Sequence, residues 1–422
     1  MNILAVNPWI HDFAAFDFWL KPYGFLCLLT ALAKTGHTIQ YIDCTDHKRK
    51  TDLYGRGKFF CRKIKKPEIL SSVPRIFRQY GISEKEFRAR LQDIDPDLIL
   101  ITSSMTYWYT GLKATEQILN EKFPYLPLLL GGTYATLMPK HAKKIFPGAE
   151  ILTGSAFREI FAATGSRLSR EKIYNTLPAY DKFYTGLDYA VIRSSWGCPF
   201  SCTYCAIKQI SPVFFRLDPG LVTAYISAYA DKGLKHFVFY DDALLYPRAE
   251  AALLFKKIKK LKLSLNFHTP NAMHLRYLDR EMAELLKDCG FINPHFGLET
   301  MDKDLQKQWG GKVCSENLNT AVKNLRNAGY SKGEFSVYML LGFPGQDLDR
   351  LKTEIDQIHS LGAKISLAEF SPVPGTAIYK KYADLLSDPL QHNNSIFSFF
   401  PDKIKDFYQL KDYVRQLNKS FG

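Results

Sequence analysis

A chain of 422 residues, 46% apolar and 23% charged, is long enough for two or three packed domains and too evenly mixed for a disordered polymer. No apolar run reaches the roughly 18 residues of a spanning helix, and Asp12, Asp17 and Lys21-Pro22 interrupt the first apolar stretch, so neither a signal peptide nor a transmembrane segment is expected and the expected location is cytoplasmic. The formal net charge of +14 favours acidic partners, whether nucleic acid, phosphate-bearing substrates or an anionic membrane surface, without choosing among them.

Taken in chain order, residues 1–165 alternate short β-rich runs with helical ones. NILAVNP, TIQYID, DLILIT, LPLLLGG and EILTG read as strands, with helices near Phe25–Lys34, Thr110–Asn120 and Ala135–Phe146. That alternation predicts an α/β, doubly wound, Rossmann-like domain with a mainly parallel sheet. The basic run 44–82 interrupts it and reads as a long crossover or lid. Residues 166–187, polar and containing Pro178, read as a linker. Six further strand candidates follow at longer spacing: Ala190–Arg193, His236–Tyr240, Leu263–Phe267, Asn293–Leu298, Phe335–Leu341 and Ile365–Phe370. Six units are too few for the closed eight-stranded barrel, so 188–376 is expected to form a partial (β/α)6 barrel with its reactive centre at the C-terminal strand ends. Residues 377–422 are expected to form a small cap.

Eight cysteines in so long a chain do not make a secreted disulfide scaffold. Cys27, Cys44, Cys61, Cys289 and Cys314 are scattered and read as small buried hydrophobes. The basic clusters Lys48-Arg49-Lys50, Arg62-Lys63, Lys65-Lys66 and Lys256-Lys257 with Lys259-Lys260 read as solvated faces, with no zinc-finger or RNP-like signature beside them. The aromatic groups Trp9, Phe13, Phe16, Phe18, Trp19 and Tyr107, Trp108, Tyr109 read first as core and second as the wall of a pocket between domains.

The remaining cysteines are close together. Cys198, Cys202 and Cys205 follow the first strand of the second half in SSWGCPFSCTYCAI. Three thiolates suit an iron–sulfur cluster that keeps one iron free for a small molecule. A structural zinc would need a fourth, distant ligand, and three unrelated core cysteines would need nothing. Spacing alone leaves these readings open.

The loop resembles the CxxxCxxC cluster loop of the radical S-adenosylmethionine enzymes. Other segments resemble that superfamily in the same order: FVFYDD (Phe237–Asp242), HFGLET (His295–Thr300) followed by Gly310-Gly311-Lys312, YMLLGFPGQD, and SPVPGT (Ser371–Thr376). The resemblance implies a 4Fe-4S cluster on the three cysteines, S-adenosylmethionine on its free iron, and reductive cleavage to a 5′-deoxyadenosyl radical. It further implies S-adenosylmethionine contacts from Tyr204, Asp241, Asp242, Glu299 and Gly342, and an electron donor such as flavodoxin or ferredoxin. No catalytic side chain beyond cluster and cofactor is assigned.

The first domain resembles the cobalamin-binding domain fused ahead of many such enzymes, through Asp97–Ser103, the stretch Leu128–Thr136 and Thr153-Gly154-Ser155. Gly131, Gly132, Thr133, Gly154 and Ser155 are the residues this assigns to cobalamin. The DxHxxG cobalt-ligand motif is absent, the nearest text being Asp43-Cys44-Thr45-Asp46-His47. The leading expectation is methyl transfer to an unactivated carbon of a small-molecule or lipid-like substrate. A radical rearrangement or cyclisation without cobalamin, an RNA-modifying enzyme, and a noncatalytic corrinoid or iron–sulfur carrier are the alternatives; nucleic acid is not favoured as a partner.

Overall fold

The structure, a computed structural model, describes residues 1–46, 48–154, 157–312 and 315–421. Ser155, His47 and Cys314, named above, lie outside the described residues.

The first half is built on five parallel strands, β1 (Asn2–Asn7), β2 (Thr38–Asp43), β3 (Leu98–Ile101), β4 (Leu128–Leu130) and β5 (Glu150–Ile151). They lie in the order β5-β4-β3-β1-β2. Alternate side chains enter two separate cores. Ile3, Ala5, Leu98 and Leu100 join helix α1 (Tyr23–Ala33), while Leu4, Val6, Ile99 and Ile101 join α2 (Tyr109–Lys122). With both faces covered, the strands read as continuous apolar runs rather than alternating ones. The expected helix 135–146 is two helices, α3 (Thr133–Leu137) and α4 (Pro139–Ile145), because Pro139 cannot continue the first and serves as the opening residue of the second.

The second half holds the six expected strands: β6 (Ala190–Ile192), β7 (His236–Phe239), β8 (Asn266–His268), β9 (His295–Glu299), β10 (Ser336–Leu341) and β11 (Lys364–Glu369). All neighbouring pairings are parallel. The third strand begins later than the sequence suggests and is broken, resuming at Met273–His274 beside β9, and the two sheet segments are joined by a parallel bridge between Phe267 and Phe291. Between the strands, α5 (Pro219–Asp231), α6 (Arg280–Cys289) and α7 (Leu348–Ser360) start where Asp218, Asp279 and Asp347 accept hydrogen bonds from first-turn amides.

Three connecting regions differ from their expected character. The stretch 166–187 is packed: Ile173, Leu177, Tyr180 and Tyr184 are buried in the core that α1 shares with the barrel. The insertion 44–82 carries short antiparallel strands at Lys48–Thr51, Gly57–Phe59, Cys61–Lys63 and Arg78–Tyr80. Cys61 is exposed there, whereas Cys27, Cys44 and Cys289 are buried as expected. Finally, the last segment joins both halves. Asn393 donates to Asp12 at 2.8 Å, His392 meets Thr106 at 2.9 Å and Tyr109 donates to Asp388 at 3.1 Å. Helix α8 (Ile404–Lys419) then covers the barrel edge, where Asn418 exchanges two hydrogen bonds with the backbone of Ile365 and so completes the outer strand.

Candidate functional site

The cysteine loop leaves the C-terminal end of β6 through a short antiparallel pair, Ser195–Trp196 against Phe215–Arg216. Cys198 is buried, Cys202 half-buried and Cys205 exposed, and none is in a disulfide. Burial holds the Cys198 and Cys202 thiols above the usual cysteine range, so a metal binding there must displace their protons. Among the described residues no three His, Cys, Asp or Glu side chains close on a single metal ion. Three thiols spread along one loop suit the body of a cluster, which is wider than a single ion.

The loop is held from two sides. Asp241, at the end of β7, accepts from the Ser194 amide at 3.0 Å, the Ser194 hydroxyl at 2.7 Å and the Ser195 hydroxyl at 2.6 Å. Its oxygens are thereby committed to positioning the loop. Asp242 turns the other way and pairs with Arg193 at 2.9 Å; burial raises its carboxyl above the usual aspartate range against the pull of that guanidinium. On the second side Thr203 donates to the Trp309 carbonyl at 3.2 Å. Gly310, at φ +113°, lets this contact form, since a Cβ there would stand 3.0 Å from the Ser201 carbonyl and 3.2 Å from Cys202 Cα.

Tyr204 and Glu299 meet in a small recess with Gln306, Trp309 and Lys312. Glu299 ends β9 at φ +68°, a left-handed conformation that costs a non-glycine residue about 1–2 kcal/mol. Its carboxylate lies 3.3 Å from the Lys312 ammonium. Burial alone would lower Lys312, but the Glu299 carboxylate beside it holds its pKa above the usual lysine value. Two buried polar groups beside this recess and the loop lack partners among the described residues: the Trp309 indole nitrogen and both ring nitrogens of His274, whose ring packs 4.7 Å from Phe200 of the loop. Orphaned polar atoms of this kind mark where a polar ligand belongs. Gly342, by contrast, faces the Phe397 ring, 2.7 Å from where a Cβ would stand, and its amide donates to Gln346 at 2.8 Å. Lys312 entered the sequence reading only within a Gly-Gly-Lys segment, and Trp309 and His274 carried no local signal.

A cavity of about 470 Å³ opens where the order of the first sheet reverses between β1 and β3. This is the crevice at which doubly wound sheets bind ligands. Gly131, Gly132, Thr133 and Gly154 line it from the first domain, with Trp9, Trp108 and Tyr109; Arg193 and Trp196, at the root of the cysteine loop, line it from the barrel. Gly132 has φ +96°, and a Cβ there would lie 2.2 Å from the Ser103 carbonyl, so the glycine brings the β3 and β4 loops into contact. Among the described residues no histidine lines the cavity. Glycine loops, an apolar wall and this breadth fit a large planar cofactor.

Comparisons agree with this geometry. The family model of the radical SAM superfamily matches residues 192–358. An uncharacterized methyltransferase of Pyrococcus horikoshii is 23% identical over 333 residues, 69% of this chain and 70% of that protein. The solved structure of the radical S-adenosylmethionine methyltransferase TsrM from Kitasatospora setae, with cobalamin and 4Fe-4S cluster bound, matches with a TM-score of 0.66 at 15% identity, over 91% of this chain and 78% of that one. The cobalamin-dependent S-adenosylmethionine radical enzyme OxsB with aqua-cobalamin bound matches at 0.57 and 14%, over 92% of this chain and 55% of that one. At these identities the structural likeness is one of fold.

Proposed function

Since residues 192–358 match the radical SAM superfamily model and this barrel follows a Rossmann-like domain, we propose that the chain is a cobalamin-dependent radical S-adenosylmethionine methyltransferase acting on an unactivated carbon of a small-molecule or lipid-like substrate. One observation carries the reading: the cavity bounded by Gly131, Gly132 and Gly154 on the first sheet is bounded by Arg193 and Trp196 at the foot of the cysteine loop on the other side. A methyl-carrying cofactor on the first domain and a substrate radical made beside the cluster would therefore share one cavity.

Cys198, Cys202 and Cys205 would hold the 4Fe-4S cluster, and Glu299 with Lys312 would bind the amino-acid and ribose groups of S-adenosylmethionine. Bound there, cluster and S-adenosylmethionine supply the radical, and cobalamin supplies the methyl group. The protein's own residues orient and enclose. Asp241 fixes the start of the loop through Ser194 and Ser195, and the Trp309 carbonyl fixes its middle. Arg193, clamped by Asp242 and stacked 5.1 Å over Trp196, closes the barrel side of the cavity. The electron would come from a flavodoxin- or ferredoxin-type donor.

The test is anaerobic reconstitution, reduction with dithionite and chromatographic assay of 5′-deoxyadenosine, together with the absorbance retained after cobalamin addition and desalting. Expected are 5′-deoxyadenosine formation that C202S abolishes, and retained corrinoid absorbance. Cleavage without corrinoid retention would turn the assignment to a radical rearrangement or cyclisation, and a reduced, cluster-loaded protein that never cleaves S-adenosylmethionine would turn it to a carrier.

A further inference from the structure

The positive charge of this protein is concentrated in one place. Residues 44–82 hold eleven lysines and arginines against three acidic residues, so +8 of the formal +14 lies in the insertion. Its strands set like charges against each other: Lys50 stands directly opposite Lys58, and Lys63 directly opposite Arg78. Facing like charges destabilise an antiparallel pair. The other basic run of the chain is half compensated, Lys256 pairing with Glu281 at 2.6 Å and Lys259 with Asp288 at 2.7 Å. Arg49, Lys50, Lys58 and Lys63 are exposed and have no carboxylate partner among the described residues. An uncompensated arrangement of this kind calls for an anionic partner outside the chain.

The apolar side chains beside these cations indicate which partner. Leu53, in the turn between Lys48–Thr51 and Gly57–Phe59, is 88% exposed, and Phe60, two residues beyond Lys58, is 43% exposed. Leu53, the more exposed of the two, is aliphatic and offers no face for stacking on a base. It suits the acyl boundary of a bilayer, where apolar insertion and cation attraction act together. No helix among the described residues is long and apolar enough to cross a membrane, so the contact would be peripheral. We propose that the insertion 44–82 docks the protein on the surface of an anionic lipid bilayer, with Lys50, Lys58 and Lys63 meeting headgroups and Leu53 entering the interface. The proposal is independent of the reaction.

It is tested with the full-length protein by co-sedimentation with large unilamellar vesicles of phosphatidylcholine, with and without phosphatidylglycerol, at low and high salt. Binding is expected only to the anionic vesicles and is lost at high salt. At roughly fivefold in partition per cation, K50Q/K58Q should weaken it about 25-fold, and L53S by roughly tenfold. Both sites are exposed, so both variants should keep the parent's circular dichroism, and K50Q/K58Q, relieved of its facing charges, should melt no lower than the parent. Absent sedimentation, or sedimentation that neither variant weakens, overturns the proposal. So does retention of a homopolymeric RNA at a salt concentration where the vesicles are not bound, which would assign the surface to nucleic acid.

Discussion

Replacing Asp241 by alanine tests whether the cluster loop is held in place by a carboxylate that never touches the cofactor. Ser194 and Ser195 are 1% and 0% exposed, so the substitution strands one amide and two hydroxyls in a site closed to water. A buried donor left without its acceptor costs about 1–3 kcal/mol, and three of them about 4 kcal/mol after partial relaxation. At about 2–4 °C per kcal/mol, the thermal midpoint of the barrel falls by about 8–16 °C. D241N should behave differently. The Oδ1 atom accepts all three donors, the two hydroxyls at 2.7 and 2.6 Å, so an amide oxygen in that place keeps the contacts and loses the charge. Its cost is about 1 kcal/mol, or about 2–4 °C. The assay is thermal unfolding followed by near-ultraviolet circular dichroism, with iron per chain after reconstitution as second readout. D241A should retain little iron and D241N most of it. If D241A melts within about 2 °C of the parent and loads iron fully, the hydrogen bonds do not position the loop and the argument fails.

Three further outcomes follow from the same geometry. E299Q keeps an oxygen acceptor for Lys312, so its midpoint should stay near the parent's, while S-adenosylmethionine binding by equilibrium dialysis weakens about 10–100-fold through loss of a charged acceptor; unchanged binding would remove Glu299 from the site. G132A combines left-handed strain with a contact 2.2 Å from the Ser103 carbonyl, whereas Gly154, at φ +59°, has nothing within 4 Å of a built Cβ. G154A should cost only the strain of about 1–2 kcal/mol and G132A considerably more, and equal midpoints would refute the close-approach reading. Burial holds His11, His295 and His392 down at about 4 and His268 at about 3, below the unfolded value of 6.5, so the unfolded chain binds more protons in that window and stability falls as pH falls from 6.5 toward 4. Each contributes a loss of about 1.4 kcal/mol near pH 5.5, and H392Q should flatten the profile by its share; a midpoint constant from neutral pH to about 5.5 would contradict the assignment.

Features that depend on a few neighbouring residues were readable before any coordinates. The spacing of Cys198, Cys202 and Cys205 is such a case, because thiols that could share one cluster from a single loop must lie close together along the chain. The strands β1, β3, β4, β6 and β7 are another, because sheets buried on both faces require apolar runs. Glu299 was singled out through the resemblance of HFGLET to the superfamily's segment, and the structure puts it at the C-terminal end of β9. What escaped depended on partners far away in sequence. Nothing local distinguishes Asp241 from Asp242, yet successive side chains of an extended chain point to opposite sides, and one meets Ser194 while the other meets Arg193. Lys312 acquires its role from a carboxylate thirteen residues earlier, and His274 from a loop more than seventy residues before it. The polar stretch 166–187 became core, and the last segment became a clasp between the halves, because each filled surface that the two sheets leave open. Periodicity states which face of an element is buried; the partner it is buried against is settled when the whole chain packs.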